Sequence, residues 1–211
     1  MTDPYRRYWE SNDPERRHVL IAGGIPWEQA CRNAADDWAA ILDSIPLPKA
    51  PTVLEWGCGA GRLLRACPLP GARLVGVDMS RSMLAEARYS TPEGTTLLES
   101  PDGMTCPEIS PESIDFCYSF TVLQHVPTQA IIDAIFHSIA RALKPGGVFR
   151  MQTHRGPPHP EHKFGEVYGR YYPDGNALAA DLERHGFNRI STESGLRHAD
   201  WLWASAWKPG Y

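Results

Sequence analysis

The sequence predicts an α/β fold: a mostly parallel β-sheet sandwiched between two helical layers. Three observations carry that expectation. An apolar strand runs into a glycine-punctuated turn and a helix over residues 52–64. Short apolar strands then alternate with amphipathic helices as far as residue 153, the pattern of parallel βαβ units covered on both faces. Two alternating strands close the chain across a turn short enough for antiparallel pairing.

Residues 1–48 form a helical lead-in. Tyr5, Tyr8 and Trp9 cluster within its first segment, and they serve either as packing against the main domain or as a lid over a ligand pocket. From Ile25-Pro26, Trp27, Ala30, Ala34, Trp38 and Ile41 recur at helical spacing until Pro46-Leu47-Pro48 ends the helix. Residues 49–211 form the main domain. Val53 and Leu54 make the first strand, Gly57, Gly59 and Gly61 the loop, and a short helix reaches Ala66. Strands follow at Arg73–Asp78, Thr95–Glu99, Ser113–Phe120 and Val148–Thr153, separated by helices at Arg81–Arg88 and Thr128–Leu143. Lys144-Pro145-Gly146-Gly147 stops the second of these helices. Residues 154–173 read as a long loop or short irregular helices. A helix from Asp174 to His185 ends at Gly186, and strands at Asn188–Glu193 and Trp201–Trp207 finish the chain.

The chain has 211 residues, 42% of them hydrophobic, and suits one domain with a sizeable core. A formal net charge of −4 argues against nucleic-acid binding through overall electrostatics. Five scattered cysteines without a CxxC pair fit reduced thiols, and with no apolar segment after Arg6-Arg7 the expectation is a cytoplasmic protein without a signal peptide or membrane span.

The chemistry concentrates at Glu55-Trp56-Gly57-Cys58-Gly59-Ala60-Gly61. Such loops cradle nucleotide-like ligands, but a carboxylate at Glu55 repels a pyrophosphate and favours a cationic group. Asp78 ends the second strand about 20 residues further on, where open α/β sheets place an acceptor for ribose hydroxyls. The alternative for Asp78 is a helix cap. The GxGxG spacing differs from the dinucleotide fingerprint G-x-G-x-x-G. Together with Asp102-Gly103 after the third strand and Lys144-Pro145-Gly146-Gly147 before the fifth, these landmarks resemble the class I S-adenosylmethionine-dependent methyltransferases of small-molecule type. The resemblance covers residues 50–211 and does not explain the lead-in.

It implies a three-layer Rossmann-like sandwich whose seven-stranded sheet ends in an antiparallel strand, with S-adenosyl-L-methionine as cofactor and S-adenosyl-L-homocysteine as product. The implied cofactor residues are Glu55, Gly57, Cys58, Gly59, Gly61, Asp78, Met79, Asp102, Gly103 and Phe120. Met79 would pack on adenine, and Asp102 would accept from its amino group or else close an ordinary Asp-Gly turn. The strand end at Ser119-Phe120 carries neither the Pro-Pro-aromatic signature of DNA amino methyltransferases nor the acid of metal-dependent catechol-type enzymes. DNA and an essential metal are therefore disfavoured.

His125 is placed as a general base, a pocket wall or a structural residue. His154 is placed at the site of transfer, with His159, Tyr168 and Tyr172, joined by Tyr8 and Trp9, walling an acceptor pocket in the 154–173 insertion. His154, His159, His162 and Glu161 as metal ligands, or as a solvated loop, are the competing readings. The expected activity is methyl transfer to a small molecule, at O or N, by direct displacement, in a monomer or homodimer. A non-catalytic scaffold subunit, a peptide or RNA-base acceptor, and a nucleotide-dependent oxidoreductase are the rivals.

Overall fold

The computed structural model describes residues 3–11, 13–22, 25–156, 163–164, 167–168 and 171–210, the side chains of 3–5, 22, 163–164, 167–168 and 171 excepted. Four lead-in helices come first: α1 (Asp3–Trp9), α2 (Pro14–Ala22), α3 (Trp27–Arg32) and α4 (Ala34–Ile41). The main domain then runs β1 (Thr52–Trp56), α5 (Arg62–Arg65), β2 (Arg73–Asp78), α6 (Arg81–Ser90), β3 (Thr96–Glu99) and β4 (Ile114–Ser119). A 3-10 turn (Leu123–His125), α7 (Gln129–Ala142) and β5 (Leu143–Arg155) follow. Three two-residue strands, β6 (Lys163–Phe164), β7 (Val167–Tyr168) and β8 (Tyr171–Tyr172), precede α8 (Gly175–Arg184), β9 (Asn188–Ser194) and β10 (Trp201–Trp207).

The main sheet has the order β3-β2-β1-β4-β5-β10-β9, with β8 added in parallel beside β5. Strands β1 to β5 pair in parallel, and β10 runs antiparallel to both neighbours. This is the seven-stranded, mostly parallel sheet that the sequence predicts.

Successive strand residues point to opposite faces, and both faces are buried. Val53, Phe116, Tyr118, Val148 and Trp203 belong to the core that includes α4 and α5. Leu54, Cys117, Phe149 and Ala204 belong to the core that includes α7 and α8. Trp38 is 2% exposed, and its indole donates to the Leu63 carbonyl at 3.0 Å, fastening the lead-in to the helix after the glycine loop. Truncating such a residue to alanine costs about 3–5 kcal/mol.

Three elements differ from expectation. The single helix expected from Pro26 to Ile41 is two, α3 and α4, meeting at Asn33. Lys144–Gly147 lies inside β5 instead of ahead of it, with Gly146 at φ 77° and a register shift against β4 taking up the irregularity. In the insertion expected as loop or irregular helix, the described backbone makes short strand pairs, β6 with β7 and β8 with β5.

The lead-in lies along the C-terminal ends of β1 to β3. The Glu10 carboxylate accepts from the backbone N–H groups of Arg81 and Ser82, at 3.0 and 2.9 Å, capping the start of α6. Arg6 bonds Glu99 at 2.6 Å, and Arg17 and His18 share Glu86 at 2.8 and 2.5 Å. At the far edge of the sheet, β9 leaves most of both faces open to solvent.

Candidate active site

One cavity of about 660 Å³ opens above the C-terminal ends of β1, β2, β4 and β5, where open α/β sheets bind ligands. Its walls include Glu55, Gly57, Cys58, Gly59, Asp78, Met79, Gly103, Phe120, His125 and His154, with Tyr8 and Trp9 from the lead-in. That volume lies in the range of small-molecule and cofactor pockets, roughly 300–1,000 Å³.

The glycine loop is held by the chain itself. The Gly57 and Cys58 N–H groups donate to the Val77 carbonyl at 2.7 and 2.9 Å, and Gly61 donates to Cys58 at 2.9 Å. Gly59 donates to an Asp78 oxygen at 2.8 Å. Those four donors are spent inside the protein, so they do not form an anion nest of the kind that holds phosphates. Gly57 has φ 83°, and a Cβ there would stand 2.4 Å from a Val122 methyl, so only glycine fits. A Cβ on Gly59 would meet Ile21 of α2 at 3.2 Å, which shows how closely the lead-in covers the loop. Gly61 is not among the cavity walls; its α-carbon packs against Ala87, Ser90 and Thr91 around the end of α6.

Two acids face this half of the cavity. The second Asp78 oxygen accepts from Ser80 at 2.8 Å, so the carboxylate fixes both the loop and the start of α6, and burial pushes its pKa up. Glu55 is 3% exposed and accepts from the Tyr118 hydroxyl at 2.9 Å. Burial pushes its carboxyl up to about 8, against the Tyr118 bond and the field of Arg62. Such an acid ionises readily only when a cationic neighbour is seated against it, its proton then passing to solvent. The Cys58 and Cys117 thiols are driven well above their ordinary range by burial, which leaves them inert.

Met79 and Gly103 abut. A Cβ on Gly103 would stand 3.3–3.4 Å from the Met79 thioether, so the missing side chain lets Met79 pack there, and both residues line the cavity. Asp102 is not among the walls. Its carboxylate accepts from Met104 N, Thr105 N and both the Thr105 and Ser100 hydroxyls, the Asp-Gly turn of the two alternatives. Burial alone would raise its pKa, but these bonds hold it below the ordinary range.

On the opposite side, Phe120 lies edge-on to Trp201 at 5.4 Å. Thr121 sits in the left-handed region at φ 56° with its N–H on the Gln152 amide oxygen at 3.0 Å. His125 lies 5.1 Å from Trp9 and 3.4 Å from the Gln124 amide nitrogen. Burial first, and His154 second, push the His125 pKa down to about 4, so the ring is neutral at pH 7. The Gln124 carbonyl oxygen and Trp9 indole N–H, both on the cavity, are buried without a hydrogen-bond partner among the described residues.

Tyr172 is a correction: it is buried in the core beside α7 and α8, its hydroxyl donating to Asp181, and it does not wall the cavity. The Tyr168 side chain, His159, Glu161 and His162 lie outside the described residues. Sequence reasoning passed over Arg62, Gln124, Arg197 and His198, all on the cavity wall. Arg62 had a signal in its position directly after the loop. Arg197 and His198 sit in the β9–β10 turn and had none.

The polar groups fit the methionine end of S-adenosylmethionine, whose ammonium and sulfonium suit Glu55 and whose ribose hydroxyls suit the lone pairs left on Asp78. A pyrophosphate finds no free amide nest in this loop.

A family model described as a methyltransferase domain matches residues 54–151. The trans-aconitate 2-methyltransferase of Azoarcus sp. is 33% identical over 125 residues, 58% of this chain and 47% of that protein. Its counterpart from Methylobacterium nodulans is 32% identical over 180 residues, 84% of this chain and 64% of that protein. The chain thus spans between about half and two thirds of the length of these relatives. The crystal structure of human N-acetylserotonin methyltransferase with SAM superposes with a TM-score of 0.71 at 16% identity, over 98% of this chain and 59% of that one, a likeness of fold.

Proposed function

The chain belongs to the class I S-adenosylmethionine-dependent methyltransferase family, and from that premise we propose that it transfers a methyl group from S-adenosylmethionine to a small-molecule acceptor in the cavity over β1, β2, β4 and β5. The observation that carries this reading is the pairing of Glu55 and Asp78 around a glycine loop whose own N–H donors are spent. That arrangement favours a cationic, ribose-bearing ligand over a phosphorylated one.

Bound there, S-adenosylmethionine supplies an electrophilic methyl on a sulfonium centre. Glu55, Gly57, Cys58 and Gly59 would hold the methionine end, Asp78 the ribose, and Met79 with Gly103 the adenine. The chain's part in the reaction is alignment and exclusion of water, worth several kcal/mol where geometry is well held. Helices α1 and α2 act as the lid, latched through Glu10, Arg6 and the Glu86 pair. His125, neutral and buried, orients the acceptor and can take its proton; His154 stands on the same wall. An oxygen or nitrogen acceptor is favoured, and the walled cavity suits a metabolite better than a polymer. Among the described residues no helix is long and apolar enough to cross a membrane, and five free cysteines favour a reducing compartment, the cytoplasm.

Calorimetry with S-adenosylhomocysteine tests the reading. Binding that weakens at least about tenfold in Asp78→Ala supports it. Absence of binding to the wild-type protein sinks it.

A further inference from the structure

The cavity wall carries charges of both signs: Glu55 and Asp78 at the ends of β1 and β2, Arg62 and Asp37 beside the glycine loop and in α4, and Arg197 and His198 in the turn before β10, whose first residue pairs with His154 at the end of β5. Resting on the methyl-transfer reading above, we propose that Arg197 is a specificity-determining residue that binds a carboxylate of the acceptor, so that the substrate class is small organic acids.

Arg197 carries the argument by three features. Its side chain is only 23% exposed, and its guanidinium makes no hydrogen bond among the described residues, leaving five N–H donors in a planar fork suited to a carboxylate. Its contacts are two ion pairs without hydrogen-bond geometry, to Asp37 at 3.2 Å and Asp36 at 3.9 Å. Asp37 is already taken: Arg62 donates to it at 2.6 Å and also bonds the Ala30 carbonyl at 2.9 Å. Asp36 is 77% exposed and screened by solvent. Two guanidiniums therefore share one buried carboxylate, and all three groups stand on the cavity wall.

The backbone supports this placement. Arg197 has φ 71°, a conformation that a non-glycine residue adopts when its surroundings impose it. The Trp201 ring, 4.3 Å from His198 and 5.4 Å from Phe120, gives the pocket an apolar floor beside the cation. A cationic acceptor is repelled by Arg197 on the cavity wall, and an acceptor carboxylate finds there a partner for its charge.

The test uses the full chain with methyl-labelled S-adenosylmethionine and a small-molecule extract split on an anion-exchange resin at pH 7. Label entering the retained, anionic fraction is the expected result. With the acceptor recovered from that fraction, Arg197→Gln raises KM about tenfold or more while kcat stays within about threefold, and Arg197→Lys regains part of the loss. S-adenosylhomocysteine affinity unchanged in Arg197→Gln shows that the variant is folded. Label confined to the unretained fraction, label in neither, or an unchanged KM overturns the assignment. Failure of the wild-type protein to bind S-adenosylhomocysteine overturns instead the methyl-transfer reading beneath it.

Discussion

Glu55 makes cofactor affinity a function of pH, and replacing it with glutamine isolates the effect. In the free protein its carboxyl has a pKa of about 8, so at pH 7 it is neutral in roughly nine molecules of ten. A ligand ammonium seated against it favours the carboxylate, so binding expels the proton. If the bound carboxylate is fully ionised, the ionised fraction of the free protein sets the affinity: about 1% at pH 6 and half at pH 8. Affinity for S-adenosylhomocysteine should therefore rise about 50-fold over those two pH units, equivalent to about 2.3 kcal/mol. Isothermal calorimetry in two buffers of different ionisation enthalpy should count about 0.9 proton released per site at pH 7. Glu55→Gln keeps an acceptor for the Tyr118 hydroxyl but cannot ionise, so its affinity should lack that component of the pH slope. Equal slopes in the two proteins, or no proton release by the wild type, would refute the reasoning.

The same group sets a stability trend of opposite sign. Because the folded pKa lies above the unfolded value near 4.5, the folded state holds the proton longer, and the free protein loses stability as pH rises from about 4.5 to 8. Glu55→Gln should then be the more stable protein at pH 8, by roughly a few kcal/mol, in denaturant titrations without ligand. Gly57→Ala must place a Cβ 2.4 Å from Val122 at φ 83°, so S-adenosylhomocysteine binding should fall at least about tenfold in calorimetry, and Val122→Ala should restore only part of it. Arg62→Met strands Asp37 beside a guanidinium that makes no hydrogen bond to it, and urea unfolding should show a loss of about 3 kcal/mol. For His125, whose pKa is depressed to about 4, kcat/KM should show no His125 inflection above about pH 5.5; an inflection near 6.5 that vanishes in His125→Asn would contradict its burial.

The parallel half of the fold was legible because each of its landmarks is enforced locally. Gly57 is dictated by a positive φ and a methyl at its back, and Asp78 by the two N–H groups that it must hold. Such requirements leave a residue type at a position, and the spacing of those positions is the fold. What escaped is settled at long range. Asn33 keeps helical backbone angles while two helices meet at it, so no breaker residue marks the junction. Asp102 is held by its own turn, a role that only the placement of Met104 and Thr105 makes visible. Tyr172 looked like one of several loop tyrosines, until pairing with β5 turned it into the core. Arg197 acquires meaning only because Asp37, 160 positions earlier, is already claimed by Arg62.

The edge strand β9 bears on how this protein behaves in concentrated solution. An exposed strand offers a row of unpaired N–H and C=O groups to any other chain with a free edge. Here the row is guarded on both sides by Asn188, Arg189, Ser191, Thr192, Glu193 and Ser194, with Ile190 as its one large apolar side chain. Arg189 at φ 45° and the register shift opposite Ser205 and Trp207 break the flatness that strand addition requires. The protection of this edge is thus written into a seven-residue border, and valine substitutions at its start, from Asn188 to Ser191, would invite sheet-to-sheet growth.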